Sequence, residues 1–82
     1  MAQMKYIRYE DLGVVLFESH ISHKNMHEVV SSPMDKLMSA GTTAFWALGD
    51  DLEVQASGGS TTLNVPSLKD DADLIKRRLS LY

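Results

Sequence analysis

The chain has 82 residues, eight Lys and Arg against eleven Asp and Glu, a net charge of −3 and no cysteine. That length makes one domain that buries roughly 60–65% of its unfolded surface, enough for one thin core and too little for a deep, lidded cleft. The acidic balance argues against a nucleic-acid binder, which needs a basic surface to neutralise phosphates. The missing cysteines exclude a disulfide scaffold, thiolate zinc sites, cysteine-held iron–sulfur clusters and thiol catalysis, and they fit a reducing compartment.

Met1-Ala2-Gln3-Met4-Lys5 has no apolar signal core, and no run approaches the ~20 apolar residues of a membrane span. A cytoplasmic protein with no membrane contact, starting at Met1 or Met4, is expected. Met4–Tyr9 alternates loosely and is rich in aromatic and β-branched residues, which predicts a strand. Glu10-Asp11-Leu12-Gly13 suits a tight turn closed by a left-handed glycine. Val14–Phe17 is apolar on both faces, as a central, doubly covered strand would be, and completes a hairpin. Ser22 is placed to cap a helix, and Met26, Val29, Val30, Met34, Leu37 and Met38 keep helical spacing. Pro33 interrupts that spacing but suits a first helical position. Two short helices meeting at a bend are therefore predicted, the second capped by Ser32, with Asp35 in its first turn and Gly41 as its stop.

Thr42–Leu48 reads as a strand and Gly49-Asp50-Asp51 as a turn. Leu52, Val54 and Ala56 then alternate with Glu53, Gln55 and Ser57, the pattern of a strand with one buried face. Gly58-Gly59-Ser60 predicts a second turn, and Thr61–Val65 a third strand with Leu63 and Val65 inward, ended by Pro66. Ser67 opens a last helix as its cap, with Asp70 reaching back in a variant of the capping box. Leu68, Ala72, Ile75 and Leu79 form its buried stripe. Asp70, Asp71 and Asp73 at one end and Lys76, Arg77 and Arg78 at the other suit the helix dipole, and Asp73 and Arg77 add an i,i+4 pair. Strands and helices segregate, so residues 1–82 are expected to form a single small α+β domain: an antiparallel β-hairpin, a bent helix pair, a three-stranded β-meander and a C-terminal helix packed on one sheet.

All three histidines, His20, His23 and His27, fall within eight residues. His23 and His27 have the i,i+4 spacing to supply two zinc ligands, and His20, at the strand-to-helix junction, is the candidate third. Helical metalloprotease motifs need glutamate directly after the first histidine or directly before the second; Lys24 and Met26 stand there instead. The cluster therefore reads as a metal site, as a pH-responsive patch or as solvated polar surface. The pairs Glu10-Asp11, Asp50-Asp51 and Asp70-Asp71 all fall where turns and helix starts favour acids locally. Ser57-Gly58-Gly59-Ser60 joins two strands, whereas a phosphate loop must open a helix. With no nucleophile–base pair either, neither an enzyme nor a cofactor is expected. Lys76-Arg77-Arg78 is explained by the dipole, with an anionic partner surface as the functional alternative. Tyr6, Tyr9, Phe45, Trp46 and Tyr82 make the aromatic set. Phe45 and Trp46 are adjacent on a strand and point to opposite faces, so one of them is a candidate partner-binding side chain.

The second half of the chain, with Ser39-Ala40-Gly41, Gly59-Ser60, Leu63-Asn64, Asp70-Asp71-Ala72 and Leu74-Ile75, resembles small uncharacterised proteins encoded by bacteriophages and prophages. The resemblance implies a small accessory protein of a bacterial cytoplasm that binds and redirects a host protein; it carries no catalytic residue. The expected function is thus non-enzymatic protein–protein binding, to a partner or to further copies of the chain. The alternative is a metal- or pH-responsive regulator using His20, His23 and His27.

Overall fold

The first hairpin forms as expected: β1 (Ala2–Tyr9) pairs antiparallel with β2 (Gly13–Phe17). Gly13 closes the turn at φ +85°, a conformation that costs glycine nothing and other residues a steric clash. This computed structural model describes residues 2–80; Met1, a candidate start, and Leu81 and Tyr82 lie outside them. After β2 comes the first helix, α1 (His23–Val30), whose cap is the expected Ser22: its hydroxyl accepts the Asn25 N–H at 3.1 Å.

The expected second helix is replaced by a strand. Pro33 and Met34 sit in a turn, and residues 37–48 form β3 (Leu37–Leu48). The helical spacing of Met34, Leu37 and Met38 loses to the free side of β1, whose backbone groups β3 pairs from Tyr9↔Leu37 to Ala2↔Phe45. Asp35 starts no helix; its carboxylate accepts the N–H groups of Asp11 (2.8 Å) and Leu12 (2.9 Å) and so clamps the β1–β2 turn. Gly41 stops nothing either. It lies inside β3, where an added Cβ would meet the Ser57 carbonyl oxygen at 2.4 Å and Ser67 Oγ at 2.5 Å.

A two-residue turn with Gly49 at φ +63° leads into β4 (Asp51–Ser57), paired with β3 from Leu48↔Asp51 to Thr42↔Ser57. The meander ends there. Residues 61–64 are a turn held by the Ser60–Val65 bridge, so the expected third strand does not form. Local bonds compete with a ladder: Ser60 Oγ accepts the Leu63 N–H at 3.3 Å, and Asn64 takes a left-handed φ of 56°. The inward placement of Leu63 and Val65 nonetheless holds, since both pack against the core. The last helix, α2 (Asp71–Leu79), begins after Asp70 and not at Ser67, leaving Leu68 outside it and 37% exposed. Its acids and bases lie at the ends the dipole favours.

The sheet order is β2-β1-β3-β4, antiparallel throughout, so the class is α+β as expected. β2 lies at an edge and not in the centre, yet both its faces are covered, because the helices pack on opposite sides of the sheet. Neighbouring Tyr6 and Ile7 mark the two sides. Ile7, Tyr9, Phe17 and Ala40 pack with Met26 and Val30 of α1. Tyr6 and Val14 pack with Ile75, Leu74 and Leu79 of α2 and with Val54 of β4. The single thin core expected from length is thus two thin cores sharing one sheet. No helix among the described residues is long and apolar enough to cross a membrane.

Candidate functional site

Three groups of side chains stand out as candidates: a buried carboxylate, the histidines, and the far end of the β3–β4 hairpin. The carboxylate is Asp71, the first residue of α2, with no exposed surface. Its Oδ2 accepts the Tyr6 hydroxyl at 2.6 Å and the Leu68 N–H at 2.8 Å. Its Oδ1 accepts the Ser39 hydroxyl at 2.9 Å and Arg8 Nη1 at 3.1 Å. Arg8 Nη1 also reaches Asp70 at 2.8 Å, and this contact holds the exposed Asp70 carboxyl below its ordinary range. Ser67 Oγ lies 2.9 Å from the Tyr6 hydroxyl and donates to the Ala40 carbonyl at 3.1 Å. Asp71 has both oxygens filled and no path to solvent, so it is a clamp between α2 and the sheet and not an acid or base for an outside substrate. The residues of this clamp come from β1, β3 and the chain before α2, and Asp70-Asp71 looks in sequence like any acidic helix start.

The clamp makes one measurable demand. Burial first, then the Asp71 carboxylate, pushes the Tyr6 phenol well above its ordinary value of 10.0. The folded chain therefore keeps a proton that the unfolded chain loses, and stability present below about pH 10 is lost as pH rises past it. Thermal unfolding followed from about pH 8 to about pH 11 is expected to show this alkaline loss. Tyr6→Phe should begin less stable, by about 1.5–3 kcal/mol for a hydrogen bond to a charged group, and show a shallower loss. Tyr9, also raised by burial, supplies the slope that is left. Equal slopes in the two proteins would refute the assignment.

The structure sets His20 apart from the other two histidines. His20 is exposed, its Nδ1 3.2 Å from the Glu18 carboxylate. His23 and His27 lie on one side of α1, as their spacing requires, and that side faces the sheet. His23 Nε2 donates to the Gly41 carbonyl at 2.9 Å, and its ring meets Phe17 edge-on. His27 Nδ1 is 2.7 Å from the Tyr9 hydroxyl, and its ring stacks on Tyr9. Each therefore has one nitrogen engaged in fixing α1 to the sheet. Among the described residues, no three His, Asp or Glu side chains gather as a metal-holding group.

The third candidate is the hairpin end. Phe45 pairs across the sheet with Ala2 and Val54, and Trp46 with Glu53. The two point to opposite faces, as their adjacency requires, and both are half-buried. Neither belongs to either core cluster. Beyond them Leu48 is 62% exposed. Alongside runs β4, which among the described residues is hydrogen-bonded on one side only, to β3. Its ladder is regular over all seven residues, and it contains neither proline nor lysine. β2, the other edge, is five residues long and opens on the left-handed Gly13.

No protein-family model matches the chain, and neither does any curated protein or solved structure compared with it.

Proposed function

We propose that this chain is a non-enzymatic protein-binding module whose contact surface is the β4 edge with the flanking Phe45 and Trp46. The observation that carries this reading is the coincidence of an unpaired, regular edge strand with two large aromatic side chains outside both cores. An edge offers a row of free N–H and C=O groups that another polypeptide satisfies by adding a strand. Aromatic side chains beside it supply the apolar contact that dominates binding energy. The setting we propose, from the likeness of the second half to small phage-encoded proteins, is an accessory role in a bacterial cytoplasm.

The test compares immobilised wild-type chain with Trp46→Ala and Val54→Pro variants, each first checked for a native circular-dichroism spectrum. Polypeptides held by the wild type, further copies of the chain included, should be depleted about tenfold or more on the variants, the loss of a single hot-spot contact. Equal retention by wild type and folded variants overturns the reading.

A further inference from the structure

We infer that the polypeptide β4 accepts is a second copy of this chain, paired antiparallel across a twofold axis at Val54. This rests on the reading above and names the occupant of the same surface.

Backbone direction decides which groups of β4 are free. The β3–β4 turn is two residues long, so the ladder counted from it alternates. Leu48–Asp51, Trp46–Glu53 and Ala44–Gln55 exchange hydrogen bonds, while Leu52, Val54 and Ala56 turn their N–H and C=O groups outward. The parity holds beyond β4: the Ala40 N–H, on the same side of β3, reaches the Pro66 carbonyl at 3.4 Å. The free groups of β4 are thus regularly spaced, and the only residues between them are Glu53 and Gln55.

Self-complementarity then selects the register. A twofold edge contact brings the same patch of both copies together, so β4 must fit itself running antiparallel. One register pairs all seven residues of β4. Asp51 stands opposite the partner's Ser57, Leu52 opposite the partner's Ala56, Glu53 opposite the partner's Gln55, and Val54 opposite itself. Apolar residues meet apolar ones on the α2 face, and polar residues meet polar ones on the other. Neither acid meets an acid. A register centred on Glu53 instead sets two glutamates directly opposite, which destabilises a sheet. The axis runs through the sheet, so each face continues across the contact as an eight-stranded sheet. The seven-residue edge disappears on dimerisation.

The chain has no cysteine, which makes the register directly testable. Light scattering after size exclusion, at tens of micromolar, is expected to give twice the 9.1 kDa chain mass. Under mild oxidation, an equimolar mixture of the E53C and Q55C variants should cross-link several times more than either variant alone, because residues 53 and 55 face each other and not themselves. Val54→Pro removes one outward N–H and should halve the mass while the circular-dichroism spectrum stays native. If that variant unfolds, the cysteine mixture decides alone. A wild-type monomer overturns the inference, as does a dimer in which each cysteine variant cross-links by itself as well as the mixture does. A monomer that still holds a polypeptide lost on the β4 variants overturns the second copy and leaves the protein-binding reading standing; a monomer that holds none removes both.

Discussion

Replacing Asp71 with alanine is expected to cost about 3–5 kcal/mol, because several buried donors lose their acceptor at about 1–3 kcal/mol each and do not add in full. A chain of this length has roughly 4–12 kcal/mol of stability in all, so the variant should lie near the edge of folding. The cost arises from what is left behind. Without the carboxylate, the Tyr6 and Ser39 hydroxyls and the Leu68 N–H lose a buried acceptor, while Arg8 keeps its contact with Asp70. The same bonds hold the start of α2 against the sheet, so their loss should also loosen the helix that covers Val54 and Ala56. Asp71→Asn keeps the shape but halves the accepting oxygens, and should fall between wild type and alanine. Asp70→Ala is the control: Asp70 is exposed, and its side chain makes no cap bond. Urea unfolding followed by circular dichroism measures all three, and an Asp71→Ala midpoint equal to that of Asp70→Ala would refute the clamp.

Gly41→Ala should cost about 3 kcal/mol, at the upper end of what overpacking a tight site costs. The backbone conformation at Gly41 is ordinary, so strain in φ is not the cause, and alanine would otherwise suit a strand at least as well as glycine. Space is the cause. The new methyl group would stand 2.4 Å from the Ser57 carbonyl oxygen and 2.5 Å from Ser67 Oγ, with Tyr6 Cε1 at 3.1 Å. A serine side chain can rotate away, though Ser67 would then give up its bond to the Ala40 carbonyl. The Ser57 carbonyl is backbone at the end of β4 and moves only with the strand. The same urea titration applies, and a wild-type midpoint for Gly41→Ala would show that β4 yields freely there.

Both variants fall where the sequence misleads. Gly41 follows Ser39-Ala40 after a helically spaced run, as a helix stop would, and Asp70-Asp71 has the composition of any acidic helix start. Each has its true role because of a residue far away in the chain: Tyr6 lies across the ladder from Gly41 and under Asp71. Pro33 correctly marks a break in the helical spacing. That a strand and not a second helix comes after it depends on β1 having a free side, which no window around Pro33 contains. The loop at 61–64 turns back on itself: the Ser60 hydroxyl takes the Leu63 N–H and lies 3.2 Å from the Thr62 hydroxyl, and the Ser60–Val65 bridge closes the turn. Ser60 and Thr62 carry that signal, and alternation in Leu63 and Val65 outweighs it on paper. At the candidate binding surface, the opposite-facing pair Phe45 and Trp46 was legible, since strand geometry alone dictates it. The free edge beside them was not, because which strand ends a sheet depends on the order of all of them.

Local chemistry therefore determined the first hairpin and its glycine, the Ser22 cap, the β3–β4 turn, the charge arrangement of α2 and the α+β class. Each is decided within a few residues by steric limits, capping bonds or side-chain period. Tertiary structure decided the strand order, the conversion of residues 37–41 from helix to strand, the split of the core between two faces, the inward turn of His23 and His27, and the burial of Asp71. These depend on backbone groups and apolar faces that find their partners dozens of residues away, where pairing and burial outweigh the small free-energy differences that local preference provides.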